Sequence, residues 1–263
     1  MNDIGFYKIT LPLETNIFQK LKDTTHFENV GKGRIGNHLV QVSDQGVPIV
    51  RTTTKYTVPA HNFSPIHHNV ITHINTVIQN EALNHIPSLD FNNALIEVYD
   101  HQYTKMGYHS DQSLDLNPNS YIGLFSCYEH PEELSEQNIR KLKIINKETK
   151  AVSEFLLTHN SVILFSVATN TKFQHKIILE QVKGKKPLEK DNKWLGTTFR
   201  TSKTYVQFKD DVPYFSNGTP LTLADEDQRH EFFILRGQEN RNNDFIYPEL
   251  TYTLSEADLM IPK

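Results

Sequence analysis

The residues of this chain best placed to do chemistry are histidines and carboxylates at short spacing. His109-Ser110-Asp111 sets an imidazole and a carboxylate two residues apart, and on an extended strand alternate residues point to one face. Both could then reach a single ion. With thirteen histidines in the chain, this spacing arises easily by chance, and His26-Phe27-Glu28 and His130-Pro131-Glu132 share it. Context separates them: His109 and Asp111 follow the strand-like run Ala94 to Tyr99 and the polar stretch Asp100 to Gly107. A third ligand must come from a neighbouring strand, and His175 stands in Phe173-Gln174-His175-Lys176-Ile177, just after the apolar run Val162 to Val167. His130 and His159 lie in the same stretch without that placement.

Two imidazoles and one carboxylate on one face of a metal leave the other face open, which is the arrangement of non-haem iron(II) oxygenases. One strand further on, Thr198-Phe199-Arg200-Thr201-Ser202 adds a cation. A guanidinium buried at the end of a β core needs an anion, and a dicarboxylate cosubstrate would supply one with bidentate geometry. Ser202, two residues along on the same face, could donate a hydrogen bond to that carboxylate. The plainer alternative makes each histidine a half-exposed strand residue and pairs Arg200 with one of the 31 acidic residues.

The elements that must position these residues are legible in outline. Ser64-Pro65 reads as an N-cap followed by proline at the first helical position, and Ile66, Val70, Ile74, Val77 and Ile78 recur at helical spacing, predicting a helix to about Leu83. Between Tyr108 and Phe208 come short β-like runs: Tyr121 to Tyr128, Leu142 to Ile145, Ala151 to Leu157, Val162 to Val167, Phe173 to Leu179 and Thr197 to Phe208. Asn146-Lys147-Glu148-Thr149 can close a hairpin. Several evenly spaced strands after a leading helix predict a mainly β (α+β) fold, a double-stranded β-helix or jelly roll with flanking helices outside it. Thr222-x-x-Asp225 resembles a capping box for a helix carrying Phe232, Phe233 and Leu235 and stopping at Gly237. Ser255-x-x-Asp258 opens another short one. The expected organisation is one oxygenase domain over 1–263, its core at roughly 93–208, with extensions at 1–92 and 209–263.

Taken as an ordered set, Tyr99, Tyr108-His109-Ser110-Asp111, Asn160 to Phe165, Gln174-His175-Lys176-Ile177 and Thr198-Phe199-Arg200 resemble the iron(II)/2-oxoglutarate dioxygenases, particularly their AlkB-like branch. The resemblance implies that His109, Asp111 and His175 ligate iron(II), that Arg200 binds a 2-oxoglutarate carboxylate and that Tyr99 hydrogen-bonds the same cosubstrate. It also implies an activity: with O2, 2-oxoglutarate is converted to succinate and CO2 while a substrate C–H bond is hydroxylated or a methyl group removed. Two positions depart from the AlkB-like pattern. Glu97 stands where an asparagine is usual, and Trp194 where a second arginine is usual, six residues before Arg200. Arg200 with Ser202 fits equally the Arg-x-Ser motif of other branches. A nucleobase, a small molecule and a protein side chain are therefore all open as substrates, and a metal-binding jelly roll that does not use 2-oxoglutarate is the reading from another class.

Composition bounds the rest. A formal charge of -4 denies the protein the general cationic field that draws many proteins to nucleic acid, so any such contact must be local; the five lysines between Lys183 and Lys193 could form such a patch, although a charge run of this kind is more often a solvated loop. No apolar run approaches the roughly 20 residues of a membrane span, and the start Met1-Asn2-Asp3 lacks a secretory pattern. The single cysteine, Cys127, cannot form an internal disulfide, which suits a cytoplasmic location. Segments Pro48 to Tyr56, with Arg51, and Asp100 to Tyr108 are the candidate substrate loops.

Overall fold

Alternating apolar side chains build two facing sheets, and the histidine-carboxylate group emerges where the sheets part. The computed structural model describes residues 4–80, 83, 85–180 and 191–263. Strand β1 (Phe6–Thr10) leads through helix α1 (Phe18–Asp23) to β2 (Glu28–Gly31), β3 (Arg34–Val40), the short β4 (Val47–Pro48) and β5 (His61–Asn62), and helix α2 (Pro65–Asn80). Then come β6 (Asn93–Tyr99), β7 (Tyr121–Tyr128), β8 (Arg140–Asn146), β9 (Val152–Leu157), β10 (Ser161–Ser166), helix α3 (Val167–Lys172), β11 (Phe173–Leu179) and β12 (Trp194–Arg200). The chain closes with β13 (Tyr205–Lys209), β14 (Val212–Phe215), β15 (Thr222–Leu223), helix α4 (Glu226–Arg241) and β16 (Tyr252–Thr253).

The large sheet runs β1-β10-β7-β12-β6-β3-β2 with every neighbour antiparallel, and the short β5 adds to β3 in parallel; the small sheet runs β11-β8-β9. The period of two sorts its side chains. Along β10, Val162 and Leu164 face outward onto the apolar layer formed with α1 and α2, while Ile163 and Phe165 face the small sheet. On β6, Ala94, Ile96 and Val98 pack outward and Tyr99 inward. Two packed antiparallel sheets with helices on the outer face make this a jelly roll, as the strand spacing predicts. The segment before residue 93 is more than a flank, since β1, β2 and β3 belong to the large sheet itself.

Element ends depart from expectation for local reasons. Helix α2 is regular to Asn80, and Ser64 meets the His67 ring through both its backbone N–H and its hydroxyl, each at 3.0 Å from Nδ1. The run Thr197 to Phe208 is two strands, β12 and β13, because the Ser202 hydroxyl turns back on the Thr204 backbone. The β8–β9 hairpin closes as expected, with Asn146 Oδ1 accepting from the N–H groups of Glu148 and Thr149 and Lys150 left-handed at φ 60°. The cap of α4 is Asp225 with Gln228 rather than Thr222 with Asp225, and the helix continues through Gly237 to Arg241. Glycine there keeps helical φ, so it ends nothing. Residues 256–259 form a single 3-10 turn after Ser255. Most of the lysine stretch falls outside the described residues; Lys193 pairs with Glu129 at 3.5 Å. No helix among the described residues is long and apolar enough to cross a membrane.

Candidate active site

His109, Asp111 and His175 come together, and their ligand atoms all lie within 4.8 Å of one another. His109 pairs with His175 across an isolated antiparallel bridge, His109 N–H to His175 O at 3.0 Å and the return bond at 2.6 Å. The rest of the segment leaves the sheet ladder, so its backbone polar groups need other partners. Asn170 of α3 supplies them for Asp111: its Oδ1 accepts from the Asp111 N–H at 2.8 Å and its Nδ2 donates to the Asp111 carbonyl at 2.7 Å. From α4, Asn240 Oδ1 accepts from the Ser110 N–H at 2.9 Å, Arg236 donates to the Ser110 carbonyl, and Glu239 accepts from the Ser113 N–H at 2.8 Å.

The side chains are set for a cation. His109 Nδ1 lies 3.0 Å from the Gly107 carbonyl, which can only accept, so the proton sits on Nδ1 and the Nε2 lone pair is available as a ligand. Burial, and then the adjacent His175, push the His109 imidazole down to about 3 against the pull of Asp111. Burial works to raise the Asp111 carboxyl, but Arg200 and the His175 hydrogen bond outweigh it and hold the group well below the usual carboxylate range. His175 Nε2 lies 3.3 Å from Asp111 Oδ1. The ionised carboxylate and the His109 Nε2 lone pair are donors that a divalent metal accepts directly, whereas His175 must give up its Nε2 hydrogen bond to Asp111 to ligate.

The group lines a cavity of about 390 Å³, within the usual range for a small-ligand site. Arg200 reaches it beside the metal-type residues, with Nε on Asp111 Oδ2 at 3.1 Å. Its terminal nitrogens make no hydrogen bond to the described residues. Further in, the Tyr99 hydroxyl donates to Glu97 Oε2 at 2.6 Å, and Glu97 is paired with Arg34, whose Nε lies 2.6 Å from Oε1. Glu97 thus brings its own counter-ion, contributed by β3 and directly opposite Tyr99 in the strand register. Beneath Tyr99 lies Arg140 of β8, its guanidinium 5.1 Å from the Tyr99 ring centroid and 6.0 Å from that of Trp194, donating to the carbonyls of Tyr103 and Asp100. Thr52, Thr53, Thr54 and Tyr108 line the wall from the loops singled out in the sequence, Gln112 does so from just beyond Asp111, and Phe233 from α4.

Two expected contributors are elsewhere. The Ser202 hydroxyl donates to the Ile49 carbonyl at 2.6 Å and does not line the cavity, because the chain has already turned out of β12. Arg51 is held by Asp115 through Nε and Nη2 at 3.0 and 2.7 Å, with Nη1 on the Leu250 carbonyl. It faces a second, wider depression of about 620 Å³ that contains none of the three metal-type residues. The rival pair His130 and Glu132 is a surface contact at 3.6 Å, and His159 accepts from the Tyr128 N–H. Asp100, His101 and Asp191 also cluster, but at the surface, where His101 already bonds Asp191. Sequence reasoning missed Arg34, Arg140, Asn170, Arg236, Glu239 and Asn240. Asn170 and Glu239 lie on short-range patterns that look like ordinary helix surface, and only tertiary contact gives them a role.

Comparison with known proteins supplies the family. The sequence matches the 2OG-Fe(II) oxygenase superfamily over residues 14–200. No curated protein matches the chain by sequence. Among solved structures, OsALKBH1 superposes with a TM-score of 0.47 at 14% identity over 75% of this chain and 98% of that one. A Pseudomonas putida prolyl-4-hydroxylase does so with a TM-score of 0.42 at 10% identity over 76% of this chain and 96% of that one. The chain belongs to the 2OG-Fe(II) oxygenase superfamily and is an iron(II)- and 2-oxoglutarate-dependent dioxygenase that uses O2.

Proposed function

We propose that His109, Asp111 and His175 are the iron ligands of this dioxygenase and that Arg200 binds a carboxylate of 2-oxoglutarate in the adjoining cavity. The observation that carries the reading is the convergence of the three ligand atoms within 4.8 Å beside the Arg200 guanidinium. When bound, iron and 2-oxoglutarate supply the oxidising power, with succinate and CO2 released as a substrate C–H bond is hydroxylated or a methyl group removed.

The chain's own residues hold and orient. Asn170 and the His109–His175 bridge fix the ligand backbones, and the Gly107 carbonyl fixes the tautomer of His109. Arg200 keeps Asp111 ionised and turns its terminal nitrogens to the cavity, where a carboxylate can take both. Tyr99 and the Arg34–Glu97 pair form the deeper wall, which leaves Arg200, among the described residues, as the guanidinium with free donors for a carboxylate. Apolar Leu124, Leu142, Phe165 and Ile177 exclude water from the space between. We place 1–263 in one oxygenase unit and the protein in the cytoplasm, where its single buried thiol stays reduced.

Replacing a ligand tests the assignment. His109→Ala, Asp111→Ala and His175→Ala should each abolish 2-oxoglutarate turnover to succinate while far-UV circular dichroism stays that of the parent, since an open three-ligand site does not hold the domain together. His130→Ala and His159→Ala should retain turnover. Equal losses from all five, or parent-level iron binding in His109→Ala and Asp111→Ala, would defeat the assignment.

A further inference from the structure

We propose that helix α4, which lies wholly beyond the residues matching the family, is the positioning element of the metal centre in this chain, acting through Arg236, Glu239 and Asn240 on the peptide between two ligands. The inference rests on His109 and Asp111 being ligands. Ser110 joins them, and both of its backbone polar groups are taken by α4: the N–H by Asn240 Oδ1 at 2.9 Å and the carbonyl by Arg236. Neither group has a sheet partner, so without α4 both would be left unpaired, and the segment would be held only by the His109–His175 bridge, by the Ser110 hydroxyl on the Phe173 carbonyl at 2.7 Å and by Asn170.

Arg236 and Asn240 are themselves fixed. Glu239, 4% exposed, is a hub whose Oε1 accepts from the Ser113 N–H and hydroxyl at 2.8 and 2.7 Å, and whose Oε2 accepts from Arg236 and the Tyr247 hydroxyl, each at 2.7 Å. Asn240 also reaches the second ligand strand, its carbonyl accepting from Gln174 Nε2 at 2.9 Å, one residue before His175. The Lys147 ammonium donates to the Glu239 carbonyl at 2.8 Å and ties the helix end to the β8–β9 hairpin. One turn of helix thus holds the backbone between His109 and Asp111 and a side chain next to His175 while contributing no ligand atom. Partners of this kind set ligand direction, and their removal typically lowers metal affinity about 10- to 100-fold.

The test is a Co(II) titration of the metal-free protein followed by the cobalt d–d absorbance, which needs neither cosubstrate nor turnover. Asn240→Ala and Arg236→Ala should bind Co(II) about tenfold or more weaker than the parent, with an altered band shape. Arg236→Lys, which keeps a donor for the Ser110 carbonyl, should recover part of the affinity. Gln238→Ala, on the exposed side of the same helix, should match the parent in both affinity and spectrum. His109→Ala serves as reference and should lose the metal. Parent-like Co(II) binding in both Asn240→Ala and Arg236→Ala, with binding lost in His109→Ala, would overturn the role of α4 while leaving the ligand assignment standing. An equal loss in Gln238→Ala would overturn it as well, by showing general loosening of the helix. If Arg236→Ala does not fold, Asn240→Ala and Arg236→Lys decide the matter. Retention of the metal by His109→Ala would instead remove the ligand assignment beneath both.

Discussion

At the scale of single residues, Arg200 joins the two halves of the site. Its Nε holds Asp111 while its terminal edge faces the cavity, so its removal should disturb both partners. With Arg200 binding 2-oxoglutarate as proposed, Arg200→Ala leaves the cosubstrate carboxylate without its counter-charge, a loss on the order of 3 to 5 kcal/mol, or at least about a hundredfold in 2-oxoglutarate affinity. Arg200→Lys should recover only part, because an ammonium cannot serve Asp111 and a carboxylate with the same forked geometry. Isothermal titration of the metal-loaded variants with 2-oxoglutarate checks this, and unchanged affinity in Arg200→Ala would contradict it. The three metal-type residues and Arg200 were legible because each combines a distinctive side chain with a position relative to a strand. Ser202 was misplaced because alternation was extended through a turn, and period-two reasoning fails where the chain leaves the sheet. Arg34 was not legible: its role depends on β3 lying beside β6, a pairing between segments about sixty residues apart that no local pattern announces.

At the scale of elements, the strands between β6 and β12 and the start of α2 at Pro65 were readable from local pattern, whereas β1, β2 and β3 and both ends of α4 were not. Helix α4 shows why, since Asp225, rather than Thr222, takes the cap, and Gly237 lies inside a helix held by tertiary bonds at Glu239 and Asn240. Strand β12 carries a sharper constraint. A Cβ at Gly196 would stand 2.1 Å from the Trp194 ring, which folds back over the glycine and donates from Nε1 to Ser126 Oγ at 2.6 Å. Gly196→Ala must therefore move the indole away from Tyr99 and Arg140 at the cavity floor. The expected cost is about 1–3 kcal/mol of stability. Trp194 is the only tryptophan, so its fluorescence reports the displacement while urea unfolding reports the cost. A parent-like spectrum together with parent-like stability would show that the ring can give way freely.

At the scale of the whole molecule, buried titratable groups set the response to acid. Burial, followed by Arg200 for His38 and by His68 and His61 for His67, pushes these imidazoles to about 3 and about 4. Asp258 opposes them: burial and the nearby Asp115 raise its carboxyl to about 7, against its Thr253 hydrogen bond and Arg51. Between about pH 5 and 6 the unfolded chain protonates both histidines, which the fold keeps neutral, while the fold keeps on Asp258 a proton the unfolded chain has released. Two protons against one make stability fall on acidification through this window, by about 1.4 kcal/mol per pH unit for the net proton. His61, His109 and His159, also lowered, act in the same direction in the metal-free protein. Asp258→Asn removes the opposing proton and should steepen the fall, as denaturant unfolding across the window would show. An unchanged or shallower dependence would contradict the assignment.

The central claim, that this jelly roll binds iron(II) and 2-oxoglutarate together at His109, Asp111 and His175, is tested most directly by adding 2-oxoglutarate anaerobically to the iron(II)-loaded protein. The metal-to-ligand charge-transfer absorbance is followed in the parent and in Asp111→Ala. The account predicts a band that grows and saturates in the parent and is absent from Asp111→Ala. No band in the parent with both components saturating, or a band of parent strength in Asp111→Ala, would contradict it.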